Sequence, residues 1–354
     1  MQTLPLSFGI LGAGSIGCYL GGNLARAGLR VTLIGRRSLG DEIRAHGLRI
    51  TDLTGQDFRI APPGSGGADG LRFSTDAADL KDCDVVLVTV KSSDTAEAGR
   101  SLNAVGLKAG VIVISFQNGV SNADTLRKFV KTPGVRVLAG MVPYNVVRNA
   151  NAHFHCGTTG KLMFEATAAT EPAAERVAES LRAAGLAAVK HPDLPGVLWG
   201  KLIFNLNNAI NALAGVPLRE ELGQRAYRRI IAAAIREALG VMRAAGVRPR
   251  AAGRMIPGLA SAILSLPDVL FFRVAAPMVK IDPEARSSMW EDLQRGRKTE
   301  IDYITGEIVR LADRAGVDAP IARKTVELIR AAETNGQGSP GMSAADLASA
   351  LGIR

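Results

Sequence analysis

At 354 residues, 47% apolar and 21% charged, the chain is long enough for about two globular domains with a large core, which excludes disordered and collagen-like classes. The net charge of +10 is uneven: residues 1–100 balance, whereas residues 219–254 alone carry nine Arg against three Glu. With aromatics at 5% and no nucleic-acid-binding motif, that stretch reads as a solvated Arg-rich helical surface, and no nucleic-acid partner is expected.

Cys18, Cys83 and Cys156 are odd in number, widely spaced and free of any CxxC, so neither a disulfide framework nor a zinc site is expected. That usage fits a reducing, cytoplasmic compartment. His153 and His155 would share one face of a strand and read as a solvent-facing pair, so no metal is expected. The N-terminus lacks the basic region and long apolar run of a signal peptide, and no apolar run approaches about 18 residues, so no membrane partner is expected.

In chain order, residues 6–11 (LSFGIL) read as a strand, 15–27 as a helix and 30–34 (RVTLI) as a strand. Residues 61–70 (APPGSGGADG) read as an exposed loop. Residues 84–90 (DVVLVTV) and 111–116 (VIVISF) are continuous apolar runs of the kind buried on both faces of a parallel sheet. Residues 135–165 read as further strands and 171–184 as an amphipathic helix. Strand–helix–strand alternation predicts an α/β domain, a doubly wound Rossmann-type sheet over residues 1–192. Near residues 191–195 (HPDLP) the character changes, and residues 193–334 read as an all-helical C-terminal domain. Residues 335–340 (NGQGSP) break that pattern, leaving 335–354 as a tail with a short helix or none.

The first chemical signal is GAGSIG at residues 12–17, a GxGxxG that ends a strand and opens a helix. Gly12 permits the tight turn, Gly14 lets backbone approach a pyrophosphate, and Gly17 lets helix and strand pack closely. Ser15 and Ile16 begin the helix whose unpaired N–H groups and dipole favour an anion. The alternative is a glycine-rich turn with no ligand. An acidic residue ends the second strand when NAD is bound; here the sequence is Gly35-Arg36-Arg37, and an arginine can hold a 2′-phosphate, which points to NADPH/NADP+. Lys91 and Gln117-Asn118-Gly119 end two further strands on the ligand side and either flank the nicotinamide or are ordinary loop residues.

The helix from Leu198 to about Leu213 places Lys201, Asn205 and Asn208 on one face, a polar stripe on an apolar helix. Residues 286–304 (RSSMWEDLQRGRKTEIDYI), as one straight helix, would hold Ser288 and Glu300 about 18 Å apart. Gly296 weakens that helix, and Thr299-Glu300-Ile301-Asp302 resembles a capping box, so two helices are expected, with Glu300 in the first turn of the second.

GAGSIG, QNG after a strand, WGKLIFN and SSMxxDxxxGRxTEID together resemble the ketopantoate reductase (2-dehydropantoate 2-reductase) family over about residues 7–330. The resemblance implies an NADPH-binding N-terminal domain, a helical domain and reduction of the ketone of 2-dehydropantoate, a step toward pantothenate and coenzyme A. It implies Lys201 as the catalytic lysine, with Glu300 as the family's glutamate. Asn118, Asn205 and Ser288 would meet substrate, with Lys91 and Arg36 at the cofactor. The family's second helix asparagine falls on Ala209, with Asn208 one residue away. A different branched or bulkier 2-ketoacid and a non-catalytic NADP(H) sensor are the competing readings. A homodimer stays open.

Overall fold

The protein, described here by a computed structural model, is defined over residues 5–62, 70–251, 256–275 and 284–353. Its contacts divide into two units, Met1–Leu194 and Pro195–Arg354. The first unit runs β1 (Phe8–Leu11), α1 (Ser15–Arg26), β2 (Val31–Ile34), α2 (Arg37–His46), β3 (Leu48–Asp52), β4 (Asp57–Ile60), β5 (Leu71–Ser74), β6 (Val85–Val88), α3 (Thr95–Val105), β7 (Ile112–Ser115), α4 (Asn122–Phe129), β8 (Arg136–Met141), β9 (Val146–Arg148), β10 (His153–Cys156), β11 (Leu162–Glu165), α5 (Glu171–Ala183) and β12 (Ala188–His191).

The continuous apolar runs became central strands. Every residue of β1, β6 and β7 is buried, because helices cover both faces of a parallel sheet. The main sheet has the order β12-β11-β8-β7-β6-β1-β2-β5. Strands β5, β2, β1, β6, β7 and β8 are mutually parallel, and β11 joins β8 antiparallel. Between β1 and β6 the chain's winding reverses, the position where open α/β sheets bind ligands.

In a second sheet, β4-β3-β10-β9, strands β9 and β10 fall within the strands expected over residues 135–165, whereas β3 and β4 were not expected. Its β3–β4 hairpin is short and half-exposed, with little apolar patterning. The Asp52 carboxylate organises the turn by accepting the N–H groups of Thr54 and Gln56. On β10, His153 and His155 are half-buried, and both rings hydrogen-bond the Thr51 hydroxyl at 2.8 Å. The expected solvent-facing pair is therefore a cross-strand cluster. All three cysteines are free and buried. The loop expected over residues 61–70 falls largely outside the described residues.

The second unit holds α6 (Leu194–Asn205), α7 (Asn207–Ala214), α8 (Leu218–Gly223), α9 (Arg225–Ala244), α10 (Pro257–Ser265), α11 (Asp268–Val274), α12 (Ser288–Gln294), α13 (Thr305–Ala315), α14 (Pro320–Asn335) and α15 (Ala344–Ala350). α6 begins in the last residue of the first unit. Its core forms around α9, whose apolar face meets α10, α13, α14 and α15. The C-terminal tail contains the Ser343-capped helix α15, against α9 and α7. No helix among the described residues is long and apolar enough to cross a membrane.

The Arg-rich stretch is not uniformly solvated. Arg228 is fully buried, donating to the carbonyls of Leu222, Gly223, Leu264 and Leu266, and pairing with Asp268 at 2.5 Å. Its guanidinium lies 4.2 Å from the Phe271 ring centroid. Spacing cannot distinguish this arginine from its exposed neighbour Arg229, because only tertiary packing supplies the carbonyls.

Candidate active site

On the first unit, the ends of four neighbouring strands carry the cofactor candidates. Gly12 has φ +107°, a left-handed backbone, and a Cβ there would lie 2.6 Å from Val90 N. A Cβ on Gly17 would lie 2.3 Å from Gly12 O, so α1 meets the turn closely. A Cβ on Gly14 would meet nothing within 4 Å. Thr89, which follows β6, donates its hydroxyl to Gly12 O at 2.7 Å and fixes the turn.

Gly14 caps α1 without any side-chain bond, and the first turn, containing Ser15 and Ile16, has no acidic residue. The helix therefore presents uncapped N–H groups beside open space. Arg36 and Arg37 are exposed at the end of β2, and Arg36 is the N-cap of α2. A phosphate-rich dinucleotide fits this set: the uncapped turn suits a pyrophosphate and the arginines suit a 2′-phosphate.

Lys91 follows β6 and caps the short 3-10 turn Ser92–Asp94. Ser92 donates to Asn118 O at 2.7 Å, and Asn122 Nδ2 donates to the same carbonyl at 2.5 Å. These bonds tie the β6 and β7 ends together and bring Lys91 and Asn118 to one edge. Gln117 turns inward, its amide donating to Val90 O and the Thr95 hydroxyl.

In the second unit, α6 carries Lys201 and Asn205, and α7 carries Asn208. The single helix expected across this stretch is interrupted at Leu206. All three polar residues remain half-buried, and the side chains of Asn205 and Asn208 make no hydrogen bond among the described residues. Ala209 is fully buried in the core, so Asn208 stands on the accessible side. Burial draws the Lys201 ammonium down from 10.5 to about 8, and the Glu300 carboxylate acts in the opposite direction.

Residues 286–304 form two elements, as Gly296 implied. α12 stops when Gly296, at φ +59°, donates to Leu293 O and Arg297 donates to Asp292 O. Glu300 is not in the first turn of an α-helix. It precedes the 3-10 turn Ile301–Tyr303, and α13 starts only at Thr305. The capping box does not form: Thr299 Oγ1 accepts from Ile301 N, and Asp302 pairs with Arg330. Ser288 is exposed at the start of α12, whereas its neighbour Ser287 is buried and caps the helix through Trp290 N. Sequence reasoning missed Ser287, Asn211 and Glu221, which meet behind this surface. The i, i+4 pair Asn207 and Asn211 was the available signal.

A sheet of this winding with an uncapped glycine turn, and a helical unit bearing a lysine made acidic by burial, are the parts of a two-unit nucleotide-binding enzyme. Residues 8–169 match the family described as "Ketopantoate reductase PanE/ApbA", and residues 193–333 its C-terminal counterpart. The chain belongs to the ketopantoate reductase PanE/ApbA family. It is 29% identical to a 2-dehydropantoate 2-reductase of Archaeoglobus fulgidus, over 92% of this chain and 97% of that one. The crystal structure of a PanE/ApbA family ketopantoate reductase from Ralstonia eutropha JMP134 is 31% identical, with TM-score 0.77, over 94% and 100% of the two chains. D-mandelate dehydrogenase in a ternary structure with NADH and anilino(oxo)acetate shares the fold at 21% identity, TM-score 0.74, over 94% and 99%. The protein is an NADPH-dependent oxidoreductase acting on a CH–OH group, and ketoacid reduction is the chemistry of its family.

Proposed function

We propose that the protein reduces 2-dehydropantoate to pantoate. The observation that carries this reading is Lys201: half-buried on α6, it is an ammonium drawn down to about 8 by burial and opposed by the Glu300 carboxylate. NADPH, held by Gly12–Gly17, Arg36 and Lys91, supplies the hydride when bound. Negative charge builds on the ketone oxygen as the carbon is reduced, and Lys201 attracts that oxygen and donates a proton to it. Asn118 orients the carbonyl. Ser288 donates to the substrate carboxylate, Asn205 and Asn208 hold its polar groups, and Glu300 accepts from its hydroxyl. In this reading residues 1–192 bind the dinucleotide, residues 193–334 supply the acid and the substrate contacts, and residues 335–354 are an accessory tail.

A second reading, a bulkier 2-ketoacid, is favoured by one observation: Ala209 occupies the position of the family's second helix asparagine and is buried. NADPH oxidation with purified protein across a panel of 2-ketoacids separates the two. Highest kcat/KM with 2-dehydropantoate is expected. A higher value with another ketoacid would reassign the substrate, and NADPH binding without any turnover would favour a sensor.

A further inference from the structure

Glu221 is a titratable group with no part in the chemistry above. It lies on α8 with no exposed surface. Its Oε2 accepts from Asn207 Nδ2 at 3.0 Å and Asn211 Nδ2 at 3.2 Å. Its Oε1 has no hydrogen-bond partner among the described residues, and buried Asn207 Oδ1 has none either. An ionised carboxylate enclosed in this way, with one oxygen unserved, is costly. A proton on it changes the count: the O–H is a donor, and two acceptors without donors become a satisfiable set.

The contacts continue past the asparagines. Asn211 Oδ1 accepts Ser287 N–H at 2.8 Å, and Ser287 Oγ donates to Asn208 O at 2.9 Å while capping α12. Asn208 and Ser288 therefore each follow a member of this network by one residue. α7 and the start of α12 are fastened to each other through it.

We propose that Glu221 is a positioning residue: it is protonated in the folded protein, and as a neutral acid it sets the spacing of α7 and α12 at which Asn208 and Ser288 meet the ketoacid. The proposal rests on the reading of those two side chains as substrate contacts. Burial, opposed by the two asparagine amides, pushes the Glu221 carboxyl up to about 8. Among the described residues, the surrounding groups on other elements form no ion pair with it. Tyr227 of α9 is a neighbouring phenol, held to Met342 O, with Asp346 of α15 near it. Arg228 of α9 engages the Leu222 and Gly223 carbonyls and Asp268, and Arg286 engages Gly215 O. Glu220, on α8 itself, is exposed.

A carboxyl raised in the folded state contributes its full share of stability below its unfolded pKa of 4.5, and loses it as pH rises toward about 8. Glu221→Gln mimics the neutral acid, so its melting temperature should lack this component. Between about pH 5 and 8, wild type should lose melting temperature relative to Glu221→Gln. Ketoacid KM of wild type should rise about tenfold from about pH 7 to 9 and stay level in Glu221→Gln, while the fall in kcat from Lys201 persists in both. Glu221→Ala should raise KM and leave the NADPH Kd unchanged. Identical pH dependence of melting in wild type and Glu221→Gln would overturn the proton assignment. A level wild-type KM, with melting behaving as described, would overturn the positioning role. Because the melting arm needs no substrate, the proton assignment stands or falls even if no ketoacid is turned over.

Discussion

Glu300 opposes the burial of Lys201: enclosure favours the neutral amine, and the nearby carboxylate favours the ammonium. A lysine near 8 is charged at neutral pH, yet much more acidic than an exposed one near 10.5. Such a group can release a proton to a developing alkoxide.

Activity in the reducing direction should therefore fall as pH rises through about 8, because the ammonium form is the acid. Removing the carboxylate in Glu300→Gln deletes the upward influence, so the alkaline limb of kcat/KM should move to lower pH. Lys201→Ala should lose about 10²–10⁴-fold in kcat with NADPH binding intact. A pH–rate profile for each variant checks both. A Lys201→Ala enzyme within a few-fold of wild type would remove this residue from the mechanism.

Arg36 should set cofactor choice. A hydrogen bond to a charged group contributes about 1.5–3 kcal/mol, so Arg36→Ala should weaken NADPH binding about ten- to a hundred-fold and leave NADH nearly unchanged. Arg37, exposed beside it, would soften the effect. Fluorescence titration with both cofactors decides the matter, and equal losses would refute a 2′-phosphate contact.

Ser287 and Ser288 should separate cleanly. Ser287 is the buried cap of α12, so Ser287→Ala should lower stability by about 1 kcal/mol or more. Ser288 is exposed and makes no such cap, so Ser288→Ala should raise ketoacid KM with melting temperature and NADPH binding intact. Melting curves alongside steady-state kinetics distinguish the two variants. Earlier melting with unchanged KM in Ser288→Ala would make it structural.

Arg228→Ala should be among the most destabilising single changes in the helical unit. It removes a fully buried guanidinium that serves four carbonyls, and leaving a buried acceptor unsatisfied costs about 1–3 kcal/mol, while the exposed Asp268 partner returns to solvent. Arg229→Ala, one residue along on the exposed side, should change stability by less than about 0.5 kcal/mol. Chemical denaturation of both variants measures the contrast.

Local pattern determined the parallel sheet, the glycine turn and the helical character of the second half. A strand buried on both faces must be continuously apolar, and a GxGxxG turn is restricted by backbone sterics within a few residues. Helical spacing put Lys201, Asn205 and Asn208 on one face of a single helix, but the chain breaks that helix at Leu206 and carries Asn208 on the next one. The β3–β4 hairpin was not legible, since its residues are half-exposed and its partner β10 lies about a hundred residues away. Neither spacing nor composition separates Ser287 from Ser288, or Arg228 from Arg229. Those neighbours differ only in which way the folded chain turns them, and that is fixed by carbonyls, asparagines and rings arriving from other helices. The Glu221 network has the same origin: its members lie on α7, α8 and the segment before α12, and only packing encloses a carboxyl there away from bulk solvent.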